Sequence, residues 1–145
     1  WALRHDSASK VVGATNVVAI AAGYSHYLAL RGDGVVVEWG DYNPPLGGSI
    51  SGLPATDLSC HPVTVGNVRL TNTVAIAAGG TGSIALNHNG TVITWGKSLS
   101  RRSRSPDQLT VPERLKGVVA VAVGDGFFLA LTTNNPALPS PRFKR

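Results

Sequence analysis

Three segments of this chain spell nearly the same eight residues: 16–23 read NVVAIAAG, 72–79 read NTVAIAAG and 117–124 read GVVAVAVG. Each copy runs on into a leucine-alanine core, YLAL at 27–30, SIAL at 83–86 and FLAL at 128–131. Two of them continue through a turn to tryptophan-glycine, Trp39-Gly40 and Trp95-Gly96. The closing glycines Gly23, Gly79 and Gly124 stand 56 and 45 residues apart. Repeats of that period are single supersecondary units that bury their apolar faces on one another, so the chain is expected to be a repeat protein.

Within each copy the residues alternate by size. Val18, Ile20, Val74, Ile76, Val119 and Val121 fall on one face, and Ala19, Ala21, Ala75, Ala77, Ala120 and Ala122 on the other. A strand apolar on both faces is expected to be buried on both, and an all-small face lets a neighbouring sheet come close. That is the character of the inner strand in radially stacked sheets. The second strand inverts the pattern to large-small-large, as in Leu28-Ala29-Leu30, and meets Asp33-Gly34 or Asn89-Gly90, the chemistry of a tight hairpin turn. The third strand, VVVEW or TVITW, sets Val37 with Trp39, or Ile93 with Trp95, on one face. Each unit is therefore expected to be an all-β, three-stranded antiparallel meander.

These units resemble the regulator of chromosome condensation repeat family, whose copies read roughly V-x-x-I-A-A-G-x-x-H-S-L-A-L-x-x-D-G-x-V-x-x-W-G. The first copy is dense in matches: Gly23-Tyr24-Ser25-His26-Tyr27-Leu28-Ala29-Leu30 carries the family histidine. The link Asp107-Gln108-Leu109-Thr110-Val111-Pro112 is similar to the G-Q-T-T-V-P linker of bacterial members, among them the propeller-type beta-lactamase inhibitory protein. The resemblance covers about residues 16–133 and implies a β-propeller, commonly seven-bladed.

The departures shape the expectation. His26 is replaced by Gly82 in the second copy and Phe127 in the third. Beyond the third turn, Asn134-Asn135, come Pro136, Pro139 and Pro141, and Ser140 stands where a third tryptophan belongs. Proline cannot donate to a ladder, so the third blade is expected to lack its outer strand. Trp1 looks like the end of an earlier blade. The chain thus reads as one propeller segment over 1–145 with two complete blades and partial ones, repeats at about 16–71, 72–116 and 117–135, and a Pro-rich basic tail at 136–145. Open end blades expose apolar faces, an aggregation liability. The segment is therefore expected to be completed by further blades or by other chains, as a ring or a filament.

Composition narrows the function classes. Hydrophobic residues make up 43% and charged residues 14%, which argues against global disorder. No stretch approaches the roughly 18 apolar residues of a membrane span. The start lacks a signal-peptide core and the chain has no methionine, so it is expected to begin after processing or to be a piece of something longer. The compartment stays open, with a soluble, secreted or cell-surface setting slightly favoured. No G-x-S-x-G elbow, P-loop or H-E-x-x-H occurs, and His5, His26, His61 and His88 fall in unrelated contexts. Cys60-His61 is an adjacent pair without further ligands at workable spacing. Gly79-Gly80-Thr81-Gly82 lies between two strands and reads as a blade turn rather than a phosphate loop. Asn89-Gly90-Thr91 matches a glycosylation acceptor but is what the hairpin turn requires in any case. No enzyme activity, metal or cofactor is expected.

Binding residues are sought in two places. Tyr24, His26 and Phe127, with Tyr27 and Phe128 nearby, follow the inner strand near one rim, where propellers display loops on a rigid scaffold. Tyr24 is the best surface candidate, whereas Tyr27 and Phe128 are as readily packed between blades. The stretch SLSRRSRS at 98–105 places Arg101, Arg102 and Arg104 among serines, either as a solvated linker or as a contact for anions. Residues 97–145 hold nine basic against three acidic residues, a net +6, while 1–96 hold four against five, a net −1. The leading expectation is a non-catalytic module for binding proteins or copies of itself. The alternatives are a nucleotide-exchange or chromatin-binding propeller, with nucleic acid or a GTPase as partner, and an extracellular enzyme inhibitor acting through a rim surface.

Overall fold

The computed structural model describes residues 11–40, 60–96 and 111–133, together with the backbone of residues 2–4 and 7–9. Trp1, Ser140, the tail at 136–145 and the arginines Arg101, Arg102 and Arg104 lie outside the described residues. In chain order a hairpin of β1 (Ala2–Arg4) and β2 (Ser7–Ser9) precedes the first blade, β3 (Val17–Ala22), β4 (His26–Arg31), β5 (Val36–Gly40) and β6 (His61–Pro62). A second hairpin, β7 (Thr64–Val65) with β8 (Val68–Arg69), leads to the middle blade of β9 (Thr73–Gly79), β10 (Gly82–Asn87) and β11 (Val92–Gly96). The third pairs β12 (Val118–Val123) with β13 (Phe128–Thr132). Every pairing is antiparallel, and no helix occurs among the described residues.

The three-stranded meander expected of each repeat is present in the first two copies, with one addition, and two strands of the third copy fall among the described residues. The first blade gains a fourth, two-residue strand, β6, whose Pro62 stands opposite Val37 on the sheet edge, a place where a missing N–H costs the ladder little. The hairpin turns also settle into a definite type. Gly34 N donates to Arg31 O at 2.9 Å and Arg31 N to Val35 O at 2.9 Å, with Gly34 at φ +78°. Gly90 N donates to Asn87 O at 3.0 Å and Asn87 N to Thr91 O at 2.8 Å, with Gly90 at φ +77°. This is a type I turn closed by a left-handed residue, and glycine takes that conformation without a Cβ penalty. Asn89 serves the turn, its Oδ1 accepting from Thr91 N at 3.1 Å.

The inner strands correct the simple alternation. In all three copies the register skips one residue: Val17 and Ala19 pair with Arg31 and Leu30, Thr73 and Ala75 with Asn87 and Leu86, Val118 and Ala120 with Thr132 and Leu131. Val18, Val74 and Val119 are thus the extra residues of three equivalent β-bulges, and all three are exposed rather than buried. A bulge adds one residue to its strand and leaves it unpaired, so the period of two breaks there.

Beyond the bulge the two faces divide the work. Ile76 and Ala78 of the middle blade pack back onto a cluster with Leu28, Leu30 and Val36 of the first blade. Ala75 and Ala77, on the opposite face, pack forward into a cluster with Val118, Val121 and Val123 of the third. Ile76, Val121 and Val123 thus face the preceding blade, with Ala78 beside Ile76, whereas Ala19, Ala21, Ala75 and Ala77 face the following one. Burial on both faces, expected of every copy, is reached only in part and only in the middle blade, where residues 75–78 are half-buried; Ile20, facing back from the first, and Ala120 and Ala122, facing forward from the third, are exposed.

Candidate functional site

Three turns link the first and second strands of the three blades, and they converge on one rim. Gly23 N donates to His26 O and Gly124 N to Phe127 O, both at 2.9 Å, so the first and third are closed alike. The first turn is tied to the second by Tyr24 N donating to Gly80 O at 2.8 Å. It reaches the third through its side chain: the Tyr24 hydroxyl hydrogen-bonds Asp125, and that bond, aided by partial desolvation and the Asp125 charge, raises the tyrosine pKa. Around this lacing Tyr24 is 66% exposed and Phe127 54% exposed, while Phe128 is half-buried. The surface so built presents two exposed rings and the carboxylate at the Tyr24 hydroxyl on a hydrogen-bonded backbone, which can anchor a partner without first being ordered.

His26 belongs elsewhere. Expected at the rim beside Tyr24, it is buried, and its Nε2 meets Ser83 Oγ of the middle blade at 2.8 Å. Burial lowers its pKa, so the neutral ring is favoured, and Nδ1 has no partner among the described residues. The reason is local: a side chain at Gly23 would overlap the His26 ring, so the bare glycine lets the imidazole fold inward across the blade. Phe127 lies over Gly124 in the same way. At Gly82, the equivalent of His26 in the middle blade, the space is taken from the other side by the ring of Phe128, whose Cζ would stand 2.6 Å from a Cβ there.

The tryptophans are equivalent in place but not in bonding. Trp39 and Trp95 are both buried on the third strands of successive blades, opposite Tyr27 and Ser83 respectively. Tyr27 stacks on Trp39 with ring centroids 5.7 Å apart. Trp95 donates its indole N–H to Glu38 Oε2 of the first blade at 3.3 Å. Glu38 is buried in the seam opposite His61, and burial raises its pKa against the opposing pull of the Trp95 hydrogen bond and the His61 charge. Reading the sequence passed over Glu38, Ser83 and Asp125. For Glu38 a signal exists, a lone acid in the apolar run VVVEW; for the other two nothing in their own neighbourhood marks them.

Burial pushes the Cys60 thiol up, away from the thiolate a nucleophile needs. Among the described residues no group of three or more His, Cys, Asp or Glu side chains is arranged to hold a metal, and no helix is long and apolar enough to cross a membrane.

Comparison with known proteins bears on the repeat rather than on the rim. Residues 17–43 match the Regulator of chromosome condensation (RCC1) repeat. The chain is 28% identical over 127 residues to the Rho GTPase-activating protein gacGG of Dictyostelium discoideum, covering 88% of the chain and 10% of that protein. It is 34% identical over 116 residues to the E3 ubiquitin-protein ligase HERC2 of Homo sapiens, covering 75% of the chain and 2% of that protein. Among solved structures, Prp20p of Saccharomyces cerevisiae, studied for its binding to Gsp1p and histones, superposes with a TM-score of 0.50 at 24% identity. That match covers 84% of the chain and 33% of Prp20p. The chain therefore spans a tenth or less of the curated relatives, and its fold is a segment of a β-propeller.

Proposed function

We propose, from the premise that the chain belongs to the regulator of chromosome condensation repeat family, that it is a non-catalytic β-propeller module which holds a protein partner against its rim. The observation that supports this best is the lacing of three turns from three blades into one surface, with Tyr24 and Phe127 left to solvent above a backbone held by hydrogen bonds. Rings on a braced scaffold lose little freedom when covered, and exposed aromatics of this kind are the usual anchors of protein interfaces. Asp125 beside them selects for a donor or a cation on the partner. The test is affinity capture from the source cells with the wild type and with Tyr24→Ala/Phe127→Ala, both first shown to have the same thermal midpoint. The reading requires a protein retained by the wild type and lost with the double variant. Identical captured sets would remove the rim from consideration.

One observation favours a second reading. The net +6 on residues 97–145 suits an anionic partner, nucleic acid included, and fits the nucleotide-exchange or chromatin-binding alternative.

A further inference from the structure

Two seams between blades fall among the described residues, and both are built on the same pair of positions. In the seam between first and middle blades, His26 of the leading blade reaches Ser83 of the following one. In the seam between middle and third, Gly82 of the leading blade leaves its space to Phe128 of the following one. Gly82 is the repeat equivalent of His26, and Phe128 of Ser83. Each seam thus sets one large side chain against one small one, and the two seams assign the large one to opposite sides. Packing density forces the rule, because a second ring at the same spot has nowhere to go.

The third strands add a second requirement. Trp95 of the following blade finds an acceptor in Glu38 of the leading blade. Trp39 is the same residue one blade earlier, only 8% exposed, yet its Nε1 donates to nothing among the described residues. A buried indole N–H without an acceptor is costly, and the repeat places the missing acceptor on a blade ahead of the first. The same face leaves Ile20 exposed, where its equivalent Ile76 packs onto the preceding blade.

From these two requirements we infer that the back face of the first blade docks a blade of the same repeat that carries a small residue at the place of His26 and a hydrogen-bond acceptor side chain one residue before its own tryptophan, and that a second copy of this chain does not fit there. The copy fails on both counts. Its leading face is the third blade, where Phe127 stands at the place of His26, so it would drive one ring against another, Tyr27. Counted along the sequence from Gly124 as Glu38 is from Gly23, the repeat position of Glu38 falls on Pro139, which has no side-chain acceptor. Leu129 of that face is 57% exposed, whereas its equivalents Leu28 and Ile84 are 0% and 2% exposed, so the third blade too needs a cover other than the first blade of a copy. The inference rests on the repeat fold alone and stands or falls independently of what the rim binds.

The test extends the full chain by one blade. Inserting a second copy of residues 16–71 between Thr15 and Asn16 preserves the 56-residue register, and His26→Gly in the inserted copy supplies the small partner for Tyr27. Nitrogen-15 spectra then follow the indole N–H groups of the described repeats. In this extended chain the indole proton of the original Trp39 should exchange about tenfold more slowly than in the parent, the change one well-made hydrogen bond gives. Glu38→Ala in the inserted copy should abolish that protection, and retention of His26 in the insert should lower the melting midpoint. Equal exchange at the original Trp39 with and without the Glu38→Ala change in the insert would overturn the inference. Light scattering on the unmodified chain is the check should the insert fail to fold: a discrete oligomer dissolved by both Ile20→Asp and Phe127→Asp would show copies joined end to end, and would overturn it as well. Absence of such an oligomer is the expected result.

Discussion

Trp95 and Glu38 lie 57 residues apart in the chain and 3.3 Å apart in the fold, the indole of one blade donating to the buried carboxyl of the blade before it. Neither residue has this partner within its own repeat. Removing the acceptor with Glu38→Ala leaves a buried N–H unpaired and should cost about 1–3 kcal/mol. Removing the ring with Trp95→Ala should cost about 3–5 kcal/mol, since Trp95 also sits in the cluster of Leu28, Leu30 and Val36. Urea titrations of both variants measure the two losses. A tolerated Trp95→Ala would mean that this seam is not packed as described.

The same carboxyl sets a pH dependence. Burial raises the Glu38 pKa above its ordinary 4.5, so the folded state holds its proton where the unfolded chain has lost it. The stability this contributes is complete below 4.5 and declines as pH rises through the raised value, above which it is flat. Glu38→Gln, which keeps an acceptor for Trp95 and cannot ionise, should remove that decline. The measurement is the difference in unfolding free energy between wild type and variant across the acidic range upward to neutrality, and a difference that stays constant would refute the assignment.

His26 titrates in the opposite sense. Burial lowers its pKa from the ordinary 6.5, so the unfolded chain takes up a proton first as pH falls. Its contribution is complete above 6.5 and is lost as pH drops through the lowered value. Ser83→Ala removes the hydroxyl at Nε2 and should cost about 1 kcal/mol at neutral pH. His26→Gln should abolish the loss below pH 6.5, as read by thermal midpoints taken downward from that value.

The seam between middle and third blades tests the size rule directly. Gly82→Leu places a branched chain where the Phe128 ring tip lies and should destabilise by about 1–3 kcal/mol or more. Pairing it with Phe128→Ala should recover part of the loss, because the volume is exchanged across the seam. A double variant no better than the sum of the two single ones would mean the positions do not share one space.

Arg101, Arg102 and Arg104 give a prediction from sequence alone. If the stretch contacts an anionic polymer, retention on heparin should fall steeply with salt, and replacing all three by Ala should reduce the slope of log affinity against log salt by roughly three units at most. No retention of the wild type at low salt leaves a solvated linker.

Turn and strand chemistry was legible because it is local. The Asp33-Gly34 and Asn89-Gly90 turns, the alanine face and the equivalence of Trp39 with Trp95 all follow from short-range patterns, and the blades form where those patterns place them. The bulges at Val18, Val74 and Val119 were not legible. Their alternation with Ile20, Ile76 and Val121 looks regular in one dimension, and only pairing with the second strand reveals the extra residue. The candidate site divides in the same way: Tyr24 and Phe127 could be named as rim aromatics from their place after the inner strand, but Asp125 joins them only because three turns meet.

By itself, then, the sequence determined the unit: its strands, its turns, its apolar faces and its family. The tertiary structure decided what each side chain of the unit does, and it decided differently in each blade. His26 and Phe127 occupy one repeat position, yet the first is buried against Ser83 and the second is open to solvent. Trp39 and Trp95 occupy another, yet among the described residues only Trp95 has an acceptor. The physical reason is that repeat identity is written in local hydrogen bonding and periodicity, whereas burial and satisfaction depend on the neighbouring blade, and that neighbour is set by stacking rather than by anything within the repeat.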